Sequence, residues 1–229
     1  AYPPLVVKDP NSGRLSGEMI DAFEYIASAA RLDVQYVESS WGTFIAALQS
    51  GRCDVVVTGL FNKIERAKSV SFTRPMFYMG NGVLVRANET RFRAVSDFNR
   101  SGIQIAVISG EVGHLYAQSH LDAAELVVLP GSDISLALQQ VSSGRADAAF
   151  TDGWTIEQYA QAHPETMDFR IINASATYGM NPVAWAVRSD DAALLTFFNN
   201  AFDELEANGK FLEWEARDGL HWYRQPFRL

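Results

Sequence analysis

The chain has a single cysteine, Cys53, in 229 residues. No intrachain disulfide can form, which argues against a small disulfide-stapled domain and fits cytosol or periplasm equally. It lacks any apolar run of ~18 residues, so no transmembrane-helix candidate stands in the sequence. Basic residues are the minority, 19 Lys and Arg against 27 Asp and Glu, for a formal net charge of −8. A nucleic-acid backbone needs clustered cations, so that class of partner is disfavoured. The four histidines, His114, His120, His163 and His221, are scattered without metal-ligand spacing. No Gly-rich phosphate loop or nucleophile elbow is present, and Cys53 has no histidine near it in sequence. A lone buried cysteine behaves as a small hydrophobe. No metal and no cofactor are expected. No leader is visible ahead of Ala1-Tyr2-Pro3-Pro4, as in a mature exported chain or a cytosolic one. What is plentiful is apolar residue, 48% of the chain, enough for one large core or two smaller ones.

The most informative feature is a repeat. Residues 50–59 read SGRCDVVVTG and residues 143–152 read SGRADAAFTD, each led by Ala-Leu-Gln (Ala47-Leu48-Gln49 and Ala137-Leu138-Gln139). A constant offset pairs Asp54 with Asp147, Thr58 with Thr151 and Gly59 with Asp152. A repeated helix–Gly–strand unit predicts two lobes built alike. Around it, helical spacing predicts helices over 19–30, 41–48, 64–69, 112–120, 133–141, 155–162, 192–208 and 211–215. Short apolar runs predict strands at 3–8, 34–37, 55–57, 82–85, 103–108, 126–129, 146–150 and 183–187, with a short helical turn at 96–99. The β-branched run Val55-Val56-Val57 reads as a strand buried on both faces of a parallel sheet. Alternating strands and helices imply an α/β fold with mainly parallel sheets. The polar stretch after Val85 opens the second lobe and the strand 183–187 leads out of it. That predicts an inserted second lobe, two crossovers acting as a hinge, and a small ligand held where the lobes meet.

Ligands of open parallel sheets bind beyond the carboxyl ends of strands. Arg66 follows the strand 55–57 and lies at a helix start, where an arginine can fork two hydrogen bonds onto a carboxylate. The competing reading is a surface arginine paired with Glu65 or solvent. Asp152 stands at the corresponding strand end of the other lobe and suits a cation; the competing reading is a helix cap. Gly59 leaves room for backbone contact where its partner Asp152 brings a charge. Trp41 at a helix start can cover a ligand, and Phe77 and Tyr78 divide between core and ligand. Glu111 precedes a helix, where a carboxylate is favourable anyway.

Four stretches together resemble a known family: YPPLVVKDPNSGRLSGEMIDAFEYIA, WGTFIAALQSGRCDVVVTGLFNKIERAKSVSFTRPMFY, GIQIAVISGEVG and LALQQVSSGRADAAFTD. In order and spacing they are similar to the type II periplasmic solute-binding proteins of polar amino-acid uptake, extracellular solute-binding protein family 3. The resemblance implies a two-lobed α/β fold, with lobe 1 at 1–85 and 186–229 and lobe 2 inserted at 86–185. It implies a periplasmic monomer that closes on a small zwitterionic solute, an amino acid or derivative, and passes it to the membrane permease of an ABC importer. By the same resemblance Arg66 binds the solute carboxylate and Thr58 assists through its hydroxyl or backbone. Asp152 holds the α-amino group, and Tyr2 and Trp41 wall the pocket.

The chain also departs from that family. Phe61 stands where a small or hydroxyl residue is usual, and narrows the pocket or stacks on the solute. Glu111 and Val112 stand where Ser or Thr is usual; Glu111 either turns away or meets a cationic group. The family's short strand before Tyr-Pro-Pro is not in this sequence, and the tail HWYRQPFRL is unlike the usual ending and could pack over that place. Two alternatives share the fold: a cyclohexadienyl or arogenate dehydratase with Glu111 as general acid, and the sensing lobe of a membrane receptor.

Overall fold

In the computed structural model the described residues are 2–162, 169–172, 179–220 and 222. His163, His221 and the tail from 223 onward lie outside the described residues. The chain divides into two units, residues 1–78 with 181–229, and residues 79–180. It passes between them inside two long strands, at 78–79 and at 180–181. Both crossings come earlier than the expected 85/86 and 185/186. The reason is pairing: residues 81–85 are already laddered to the second unit, and 183–184 to the first.

The first unit opens with a hairpin, β1 (Val7–Lys8) against β2 (Leu15–Ser16), turned by Asp9, whose carboxylate accepts from the Asn11 and Ser12 N–H groups. Helix α1 (Glu18–Ala30) buries Met19, Ile20, Ala22, Ile26 and Ala27, the apolar face its spacing predicts. The expected strand at 34–37 does not form. No strand pairs with it among the described residues, and Val34, Tyr36 and Val37 stay partly exposed. A lone extended segment gains no ladder hydrogen bonds, so β-propensity alone does not hold it in a sheet. Next come α2 (Phe44–Gln49), β3 (Val55–Phe61), the single turn α3 (Ile64–Ala67) and the unforeseen β4 (Val70–Phe72).

The second unit follows along β5 (Phe77–Arg86) and a 3-10 turn at Val95–Phe98. It continues through β6 (Gln104–Ile108), α4 (Val112–His120), β7 (Glu125–Leu129), α5 (Ser135–Ser142), β8 (Ala148–Asp152), α6 (Gly153–Ala162) and β9 (Phe169–Ile172). The chain returns along β10 (Met180–Arg188) and ends in α7 (Ala192–Ala207) and α8 (Lys210–Asp218).

The mainly parallel sheet expected from the element order is only half right. β6 pairs parallel with β7 and β8, the product of βαβ crossovers. The crossing strands run the other way: β5 pairs antiparallel with β8 and β9, and β10 pairs antiparallel with β3 and β4. Val55–Val57 is accordingly half-buried rather than sealed on both faces.

Each unit has its own core. Trp185 of β10, fully buried, is ringed by Phe23, Phe198 and Phe202 at 4.8–5.8 Å between ring centres, and its indole N–H points at the Met19 sulfur. Phe92, Phe98, Ile105, Val107 and Phe150 fill the second core. Trp222 packs into the first unit, stacked on Phe77 at 4.6 Å with its N–H donated to Glu18 at 2.7 Å.

The two copies of the repeat do the same mechanical job. Asp54 precedes β3 and meets Arg188, the last residue of β10, at 3.3 Å. Asp147 precedes β8 and meets Arg86, the last residue of β5, at 3.9 Å; it also accepts from Arg91 at 2.5 Å and from the Gln104 N–H at 2.9 Å. In both units the repeated aspartate pins the end of a crossing strand.

Candidate functional site

In the first unit, β3 and the turn after it carry most of the predicted residues. β3 runs to Phe61, so Arg66 stands on a helical turn that starts two residues past the strand rather than after a long loop. Arg66 is 5% exposed, donates from Nη1 to the Phe61 carbonyl at 3.1 Å, and lies 5.3 Å over the Phe44 ring. A surface arginine meeting solvent is thereby ruled out. Burying a guanidinium is costly unless charge and hydrogen bonds answer it. Arg66 is a buried guanidinium on the helical turn beyond the end of β3.

Thr58 and Gly59 sit in an irregularity. Between the partnered pairs 60–184 and 56–186, β10 advances two residues while β3 advances four. The surplus bulges β3 at Val57-Thr58-Gly59, and bulges re-aim side chains. A Cβ on Gly59 would overlap the Tyr2 ring and Leu5. The room at Gly59 is thus taken by the chain's own Tyr2, which is buried and meets Trp41 edge-on at 5.5 Å. Trp41 keeps its indole nitrogen buried with no acceptor among the described residues. Phe61 is buried beside Arg66. Phe77 is fully buried under Trp222, in the core, while Tyr78 is partly exposed.

In the second unit, Asp152 ends β8, fully buried. Its two oxygens accept from the Thr155 N–H and hydroxyl, each at 2.7 Å. Its capping role is real, and its charge sits at the strand end where the repeat predicts it. Glu111, 4% exposed, is the N-cap of α4 and accepts from the Gly113 N–H at 2.8 Å. His114 Nδ1 accepts from the Gly110 N–H at 3.0 Å, and burial pushes its pKa down. A Cβ on Gly113 would overlap the Phe150 carbonyl, so α4 begins directly on β8. Thr151, the repeat partner of Thr58, is buried with its hydroxyl unpartnered among the described residues.

Sequence reasoning missed two buried asparagines. Asn81, on β5, lies opposite Asp152 in the ladder, and Asn181 sits at the start of β10; both are under 4% exposed. The available signal was the matching of Met-Gly-Asn-Gly-Val (79–83) with Gly-Met-Asn-Pro-Val (179–183), a polar residue in two otherwise apolar crossing strands. Among the described residues no three His, Cys, Asp or Glu side chains gather to hold a metal ion. Burial and Asp54 push the Cys53 thiol pKa up, the wrong direction for a nucleophile. No helix among the described residues is long and apolar enough to cross a membrane.

The profile of bacterial extracellular solute-binding proteins, family 3, matches residues 1–217. A probable amino-acid ABC transporter-binding protein of Haemophilus influenzae is 26% identical over 95% of this chain and 82% of its own. The L-arginine-binding protein of Pseudomonas aeruginosa is 27% identical over 92% of this chain and 82% of its own. The crystal structure of an ancestral amino acid-binding protein, described as a precursor of cyclohexadienyl dehydratase, superposes with a TM-score of 0.82. It is 28% identical and covers 98% of this chain and 92% of its own. A match over nearly the full length, the repeated strand ends and the α/β units agree: this chain belongs to the bacterial extracellular solute-binding proteins, family 3.

Proposed function

We propose that the chain is the solute-binding component of an ABC importer, acting as a periplasmic monomer that delivers a small zwitterionic solute, an amino acid or derivative, to a membrane permease. The two crossings serve as the hinge, and solute binding favours the closed form because the solute contacts that form differently. The observation that carries the reading is the pair of buried opposite charges at equivalent strand ends: Arg66 beyond β3 and Asp152 at the end of β8. Arg66 takes the carboxylate and Asp152 the ammonium. Thr58, on the bulge, supports the carboxylate. Trp41 and Tyr2 form the apolar wall, and the Trp41 indole N–H is a donor available to the solute. Phe61 narrows the space beside Arg66. Titration calorimetry with L-amino acids tests the assignment. Arg66→Ala is expected to weaken binding by about 2–4 kcal/mol, the scale for truncating one partner of a buried charged pair.

A second reading rests on the dehydratase link of the ancestral relative. Glu111 would then be a general acid. Its carboxylate is engaged as an acceptor from Gly113, the work of an anion at a helix start. Incubation with prephenate and arogenate decides: product formed would establish the enzyme, and its absence would remove this reading.

A further inference from the structure

We infer that Trp222 is a positioning residue for solute capture: by clamping Phe77 it keeps the first residue of β5 out of the hinge. The inference rests on the hinge of the solute-binding reading above and adds to it a side chain that is not among the solute-binding candidates.

The two crossing strands are neighbours in the sheet. Backbone hydrogen bonds tie them on either side of the crossings. In the first unit the Met76 N–H donates to the Val183 carbonyl, and in the second the Asn81 N–H donates to the Gly179 carbonyl, both at 2.9 Å. The stretches between these ties, 77–80 and 180–182, carry the chain from one unit to the other. On β10 the first unit already holds its end of the stretch. Pro182 has a ring-fixed φ, and its carbonyl accepts from the Asn62 N–H at 2.9 Å, just past β3.

On β5 the corresponding end is held by a side chain. Phe77 is fully buried, and the Trp222 ring lies flat on it, 4.6 Å between centres and 10° between planes. The indole N–H of Trp222 donates at 2.7 Å to the carboxylate of Glu18, the fully buried first residue of α1. A hydrogen bond to a carboxylate is stronger than a neutral one, so it fixes the indole against the ring beneath it. The chain is led there by an anchored turn. Gly219 ends α8 in the left-handed conformation, and the buried Leu220 donates its N–H to the Glu215 carbonyl at 2.7 Å. Phe77, Glu18 and Trp222 are far apart in sequence and all belong to the first unit. Phe77 therefore moves with that unit, and the flexing stretch shrinks to 78–80 and 180–181.

A hinge is a few residues that absorb a change in φ and ψ. Each residue added to it brings backbone freedom that closure must freeze. Without the clamp the flexing stretch of β5 reaches back to Met76, the units sample a wider swing, and the arrangement that binds is a smaller fraction of the whole. Apparent affinity falls by that fraction, by about tenfold for one added residue.

Spin labels on the full chain without solute read the swing directly. They are placed at exposed positions, Asn200→Cys on α7 and Gln118→Cys on α4, with Cys53→Ser. The distance distribution is expected to broaden in Trp222→Phe, which keeps a ring for Phe77 but loses the donor to Glu18, and to broaden further in Trp222→Leu. Trp214→Phe is the control. Trp214 is buried on α8 of the same unit, against Tyr25 and Phe211, and its loss should lower Tm without broadening the distribution. Calorimetry with the twenty standard L-amino acids should show about tenfold weaker binding in Trp222→Leu for each one the wild type binds, and no change in Trp214→Phe. An unchanged distribution in both Trp222 variants overturns the inference. So does equal broadening in Trp214→Phe, which would mark a general loosening of the first unit. Failure of the solute-binding reading looks different: no L-amino acid binds the wild type, while the distributions still decide the role of Trp222.

Discussion

At the scale of single residues, burial separates the competing readings of the sequence candidates. Arg66 could have been a solvent-facing arginine; at 5% exposure, with a carbonyl and an aromatic ring shaping its seat, it is a fixed charge. Asp152 caps the helix after it, accepting from Thr155, and its carboxylate stands at the end of β8. His114 gives a pH prediction. Its Nδ1 accepts a backbone hydrogen bond, which requires the neutral ring, and desolvation lowers its pKa below the usual 6.5. A histidine whose folded pKa is depressed contributes stability that is complete above its unfolded pKa and is lost as the pH falls through the folded one. Melting followed from pH 7.5 to 5 should therefore show an acid-side loss in the wild type that is smaller in His114→Phe. Equal slopes would mean that His114 does not titrate with folding. None of this was legible in the sequence, where His114 was one of four scattered histidines; only the Gly110 contact gives it a role.

At the scale of elements, the helices were legible and the strand edges were not. α1 and α7 follow their apolar spacing because a helix satisfies its own backbone and needs a neighbour only for one face. The segment at 34–37 shows the contrast: its residues favour a strand, but a strand exists only with a partner. β4 and β9 were missed for the converse reason, being short pieces that form because β10 and β5 offer a ladder. The bulge at Val57–Gly59 had one signal, a glycine inside a strand. Gly59→Ala pushes a methyl group into Tyr2 and Leu5, and overpacking of this kind costs about 1–3 kcal/mol. Urea unfolding should show that loss, and an unchanged midpoint would mean that Tyr2 does not hold its place against β3. The repeated aspartates should differ although their sequence contexts match. Asp147 is largely buried and accepts from Arg91 and a backbone N–H, so Asp147→Asn is expected to cost about 1.5–3 kcal/mol. Asp54 is 77% exposed in its pair with Arg188, so Asp54→Asn should cost about 0–1 kcal/mol. Denaturation of the two variants side by side checks this, and equal costs would refute the asymmetry.

At the scale of the whole molecule, the repeat explains the architecture. One helix–Gly–strand design is used twice, and each copy pins a crossing strand through its aspartate. Family membership follows from a match over residues 1–217 and gives the setting, extracellular solute capture. What the family does not give is the solute. The central claim is that a zwitterionic solute is held by its carboxylate at Arg66. The most direct test is calorimetric titration of the wild type and Arg66→Ala with a panel of L-amino acids. The account predicts saturable one-site binding of at least one of them by the wild type and a loss of about 30-fold or more in the variant, the fold-change for ~2 kcal/mol. Binding that survives unchanged in Arg66→Ala, or no binding of any amino acid by the wild type, would contradict it.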